Sequence, residues 1–215
     1  MGKRKPRAKQ LGALRREVAV EAARIMAEDG LRNHLDAKLR AAERLGLSSD
    51  AALPRNKEIE AAFREHLMLF KADSQPRLLR EMRQSALNAL RFFETFEPRL
   101  VGAVLDGSAD EFSAVCLQVF TDTDEEVGWH LDQHGIPFDI ETRRIQMAPD
   151  SDHMASVYQF VADQHPIDIT VLPTIALRQA PLSRVDARPM RRASLKQLAD
   201  DEAWVNAEDS AALGG

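Results

Sequence analysis

"GAVLDGSADEFSAVCLQVF", residues 102–120, sets two glycines five positions apart ahead of a short run patterned at every other residue. Residues i and i+2 of an extended chain share a face. Ala114 and Cys116 therefore share one face of the strand, and Val115, Leu117 and Val119 share the other. The stretch also sits where the apolar period of the chain changes, so its reading sets the fold class.

Upstream of it the period is 3.6. Val18, Ala22, Ile25 and Met26 form one apolar stripe ending near Gly30, and Leu31, Leu35, Leu39, Ala42 and Leu45 form a second ending at Gly46. After a polar loop with Pro54, Asn56 reads as the N-cap of a helix with Ile59, Ala62, Phe63, Leu67 and Phe70 inward. Ser74 ahead of Pro76 opens a longer helix striped by Leu79, Met82, Ala86, Leu90 and Phe93, which stops at Pro98.

Downstream the period becomes 2. The pattern predicts strands at 99–105, 114–120, 138–147, 154–161 and 166–172, with one helix over 124–134. Thr123 and Glu126 have capping-box spacing at its start, and His134–Gly135 suits its end. Residues 173–193 are punctuated by Pro173, Pro181 and Pro189, after which Ser194 and Gln197 form a second capping box before a short final helix. Helices first, then a β region with a crossover helix, predict an α+β fold with a mixed sheet of about five strands.

The 215 residues, 44% of them hydrophobic, suffice for a real core. No apolar run approaches the length of a membrane span, and the basic N-terminus lacks the apolar segment of a secretory signal. With Cys116 as the sole cysteine no intrachain disulfide forms, which suits a cytoplasmic location. The net charge of −5 is unevenly spread. Residues 1–10 carry Lys3, Arg4, Lys5, Arg7 and Lys9 without an acid, leaving 24 basic against 34 acidic residues, or −10, for the rest. Such an arm either touches nucleic-acid phosphates or is a disordered solubilising tail. Beyond Lys196 every charged residue is an acid, and the acidic balance argues against a broad nucleic-acid surface.

From Gly102 to Leu172 the chain resembles the nucleotidyltransferases of the DNA polymerase beta-like superfamily. Those proteins carry a helix, a strand ending in Gly-Ser, a turn with a further glycine, then a strand beginning Ser-Asp-hydrophobic-Asp, and a third acid on a later strand. Here Gly102 matches the first glycine with Ala103 in place of the serine, Gly107 matches the second, and Ser113 matches the serine before the acids. Ala114 and Cys116 occupy the two acidic positions, and Asp168 in "HPIDITVL" occupies the third. The resemblance implies a fold of that type whose acids would hold two Mg²⁺ ions and whose turn, Gly102, Gly107 and Ser108, would approach phosphate. In the family's pattern two acids at i and i+2 grip one site, and oxygen ligands suit a hard cation. Ala114 offers no ligand and Cys116 a soft sulfur, so the metal positions are eroded and no cofactor is expected.

Three readings follow. In the first, a non-catalytic descendant binds a nucleotide, nucleic acid or protein partner in the old cleft, with Asp168 vestigial. In the second, an active Mg²⁺-dependent nucleotidyltransferase uses Asp168 with substitute acids Asp106 or Asp110. In the third, an interaction module acts through its N-terminal helices. Arg191 and Arg192, in a Pro-rich segment ahead of a helix, are candidate phosphate ligands, or else solvated charges. His130 and His134 lie one helical turn apart without an evident third metal ligand, and Cys116 lacks an apparent base or oxyanion turn. The organisation expected is a basic arm at 1–10, a helical region at 11–73, a nucleotidyltransferase-like domain at 74–200 and an acidic tail at 201–215. No membrane partner is expected, and the sequence leaves the oligomeric state open.

Overall fold

The computed structural model describes residues 8–47, 53–199, 201 and 204. Most of the basic arm, residues 1–7, and the acidic tail beyond residue 204 lie outside them. The chain divides into two compact units: residues up to Asp73 with Arg184–Asp186, and Ser74–Ser183 with Ala187 onward.

The first unit holds α1 (Ala8–Asp29), α2 (His34–Arg44) and α3 (Asn56–Phe70). α1 packs against both others and buries Val18, Ala22, Ile25 and Met26, as its stripe predicts. α2 differs from its predicted stripe. Its buried face is Ala37, Ala41 and Ala42, and Leu35 and Leu39 are exposed. Alanines let two helix backbones approach closely, and that approach outweighs the larger area of the leucines on the outer face. Asn33 caps this helix, its Oδ1 accepting from the N–H of Leu35 at 2.9 Å. α3 buries Ile59, Phe63 and Leu67 but leaves Phe70 exposed, contrary to expectation. Asn56 also proves to be the first helical residue, with Arg55 at the cap. The Asn56 side chain instead accepts from Lys38 Nζ at 2.6 Å and donates to the Arg184 carbonyl at 2.6 Å.

The second unit is α+β. Its order is α4 (Gln75–Phe92), β1 (Arg99–Val101), α5 (Ala103–Asp106), β2 (Val115–Phe120), α6 (Glu125–Gln133), β3 (Asp139–Ala148), β4 (Ser151–Ala162), β5 (His165–Leu172) and α7 (Leu195–Ala199). The five strands form one mixed sheet ordered β1-β2-β5-β4-β3, in which β2 and β5 run parallel and the other neighbours antiparallel. A parallel pair needs a long crossover, and α6 with the β3–β4 hairpin provides it.

One sheet face carries the main core. Leu100, Leu117, Ile167 and Ile169 meet Met82, Ala86, Leu90 and Phe93 of α4 and Val127 and Leu131 of α6. Each fully buried Val, Leu, Ile, Met or Phe side chain contributes about 1.5–3 kcal/mol. On the opposite face Phe120, Ala155 and Leu172 cluster with Ala176.

The predicted strand at 99–105 stops at Val101. Gly102 takes φ +76°, ψ −154°, a conformation open essentially to glycine, and Ala103–Asp106 make one helical turn closed by Gly107 at φ +74°, ψ 16°. Val104 and Leu105 gain complete burial from that turn, which an extended chain alternating faces would deny to one of them. At the start of α6 the expected Thr123 cap is replaced. Asp124 is the N-cap residue, and the Glu126 carboxylate accepts from the Thr121 hydroxyl at 2.6 Å. The second predicted box is present: Ser194 N–H donates to Gln197 Oε1 at 2.9 Å, and Gln197 N–H to Ser194 Oγ at 3.4 Å.

Candidate functional site

The strand register brings Cys116 and Asp168 directly opposite each other on β2 and β5. Val101 of β1 is the partner of Cys116 on its other side, so the next residue, Gly102, begins the helical turn at the edge of the same site. A Cβ added to Gly102 would lie 3.8 Å from Cys116 Cβ. Gly102, Cys116 and Asp168 thus form one contiguous surface on the face away from the main core. Ala114 immediately precedes β2, and Gln118 and Thr170 form the next pair along the same face of the two strands.

Asp168 does not stand alone there. Its Oδ2 accepts from Arg143 Nη2 at 3.1 Å, and its Oδ1 accepts from Gln159 Nε2 at 3.2 Å. Gln159 is its register partner on β4, whereas Arg143 reaches over from β3 and also contacts Glu141. The Asp168 side chain is 14% exposed and that of Arg143 32%, so the pair is only partly screened by water. Burial by itself would lower the Arg143 pKa, but hydrogen bonds to Glu141 and Asp168 hold it above the ordinary arginine value. The Cys116 thiol is pushed up to about 12, chiefly by burial and secondarily by the Asp168 charge, with Arg143 opposing. It is therefore a thiol, not a thiolate, at neutral pH, and a poor nucleophile or metal ligand.

These donors do not fit a two-metal centre. Ala114 supplies nothing, Cys116 keeps its proton, and both oxygens of Asp168 are already engaged. Among the described residues no three His, Cys, Asp or Glu side chains come together as a metal cage. The cation that Asp168 does meet is the Arg143 guanidinium.

The remaining candidates are placed as follows. Asp106, the last residue of α5, lies 3.6 Å from Arg191 Nη1, so Arg191 neighbours the Gly102–Ser108 turn. Ser108 is buried, and its N–H donates to the Ala103 carbonyl at 2.9 Å. Asp110, also buried, accepts from Phe112 N–H at 3.1 Å and from the Ser113 hydroxyl at 2.8 Å. Ser113 thus shapes the loop. Arg192 donates to the carbonyls of Ala176 and Leu177, both at 2.9 Å, and stacks over Phe120. Its pKa is lowered by burial and by nearby Arg99. It ties the two ends of the proline-punctuated segment to each other and rests on Phe120 of the sheet. His130 is held in an aromatic cluster with Phe92, Phe93 and Phe96, its Nε2 at 3.0 Å from the Phe92 carbonyl.

Three residues of this surface escape a reading from sequence: Arg143, Gln159 and Gln118. Alternation puts Arg143 on one face of its strand, but only the register across β4 reveals that this is the face of Asp168. Gln118 is two residues beyond Cys116 and 3% exposed. Its Nε2 lies 3.8 Å from Met190 Sδ, and its Oε1 has no hydrogen-bond partner among the described residues. No helix among the described residues is long and apolar enough to cross a membrane. Comparison of the chain with protein-family models, with curated proteins and with solved structures returns no match.

Proposed function

We propose that the second unit is a nucleotidyltransferase-like domain whose metal site has eroded, and that its open face binds an anionic ligand such as a nucleotide without transferring it. The observation that carries this reading is the Asp168–Arg143 pair beside Cys116. In a two-metal enzyme the acids are held free for cations that balance phosphate charge. Here the cation is a side chain of the protein, and it needs no magnesium. The strand order supports the reading as well: a helix, a strand ending at a positive-φ glycine, then a strand whose parallel neighbour carries the lone acid. Arg191 beside the Gly102–Ser108 turn supplies an exposed guanidinium where phosphate would approach.

Calorimetric titration of the full chain with ATP, with and without Mg²⁺, tests the proposal. Binding that is indifferent to magnesium and weakened several-fold by Arg191→Ala is the expected result. Magnesium-dependent tightening abolished by Asp168→Ala would instead mark a working metal site. Absence of binding under both conditions would remove the nucleotide reading.

A further inference from the structure

The outer edge of the sheet carries a second message. β3 is an edge strand of 10 residues, long for an edge. Its cover among the described residues begins at Gln146, whose carbonyl accepts from Leu182 N–H at 2.7 Å, followed by Met147, whose carbonyl accepts from Gln179 Nε2 at 3.1 Å. Asp139, Ile140, Glu141 and Thr142 are all exposed, Ile140 at 58%. A long open edge is a template for another strand, and proteins that stay monomeric protect such edges with bulges, prolines or repelling charges. The one irregularity in the β3–β4 register lies between Gln146 and Ala148, beyond the open span.

The charges on this edge attract a copy of themselves. The open span reads Asp139-Ile140-Glu141-Thr142-Arg143-Arg144-Ile145, acids first and bases second, with Thr142 at its centre. We propose that β3 pairs antiparallel with β3 of a second copy of this chain about a two-fold axis at Thr142, joining two five-stranded sheets into one. That axis sets Glu141 opposite Arg143 of the second copy, twice, and Ile140 opposite the aliphatic stem of Arg144, twice. Moving the axis by one residue sets Glu141 against Glu141 or Arg143 against Arg143, so charge selects the register. Arg143 already clamps Asp168, so the glutamate of the second copy would arrive beside the candidate site and share its guanidinium.

Light scattering of the full chain over a concentration series tests this. The expected mass at high concentration is twice 24.1 kDa. Glu141→Lys and Arg143→Glu should each give monomers, because each creates like-charged pairs across the axis. Mixing the two variants in equal amounts should restore the dimer, since the lysine of one then meets the introduced glutamate of the other. A wild-type chain that stays monomeric throughout, a dimer indifferent to both reversals, or a mixture that stays monomeric overturns the proposal. Should circular dichroism find Arg143→Glu unfolded, oxidised Thr142→Cys decides: an interchain disulfide in high yield supports the axis, and none refutes it.

Discussion

Cys116 and Asp168 sit opposite each other on the parallel strands β2 and β5, with Asp168 bound on its other side by Gln159 and Arg143. This one relationship ties the glycine turn, Cys116 on β2 and the β3–β4 hairpin together. It also makes the pair Asp168–Arg143 the main electrostatic feature there.

Removing either member should cost stability. Arg143→Ala leaves a largely buried carboxylate short of its cation, and Asp168→Ala does the reverse, each at about 1–3 kcal/mol. The double variant should be less unstable than the sum, with a coupling of about 1–2 kcal/mol in urea denaturation. Additive losses would mean that the pair is too well solvated to matter.

The thiol should be nearly inert. With its pKa pushed up to about 12 by burial and by Asp168, Cys116 should react with a thiol-specific disulfide reagent at pH 8 far more slowly than in the unfolded chain. Asp168→Asn removes the negative neighbour, so it should lower the pKa and accelerate labelling. A folded-state pKa above the ordinary 9.0 leaves stability intact below that pH and erodes it as pH rises toward about 12. Cys116→Ser should flatten that decline in alkaline denaturation curves.

The two glycines should differ in cost. Gly102→Ala forces a side chain into φ +76°, ψ −154° and should destabilise by about 1–3 kcal/mol. Gly107 is left-handed at φ +74°, ψ 16°, where Ala costs about 1–2 kcal/mol and Asn is better tolerated. Thermal melts of Gly107→Asn above those of Gly107→Ala, with Gly102→Ala lowest, are the expected order.

Introducing two acids beside Asp168 should create an ion site once the guanidinium is gone. Ala114→Asp with Cys116→Asp adds two carboxylates to the face of Asp168, and Arg143→Met frees the third. The triple variant should melt lower than wild type without metal, through like-charge repulsion, and regain stability in millimolar Mn²⁺. No upward shift with Mn²⁺ would show that residue 114 does not turn toward the other two.

The class of fold was legible because periodicity is a local property. The stripes of α1 and α4, the alternation of β2 and β5 and the Ser194–Gln197 cap each lie within a few residues of one another. Where one element had two apolar faces to choose between, local pattern failed. α2 buries its alanines and exposes Leu35 and Leu39, because the neighbouring helix selects for close approach. Gly102 likewise cut β1 short, since burying both Val104 and Leu105 requires a turn.

By itself the sequence determined the order of the main helices and strands, though not the single turn of α5, and the absence of acids at 114 and 116. Only tertiary structure decided that Asp168 faces Cys116, that Arg143 reaches it from two strands away, and that β3 is left at an edge. The physical reason is register. Side-chain alternation is written into each strand, but which residue stands opposite which depends on partners far off along the chain.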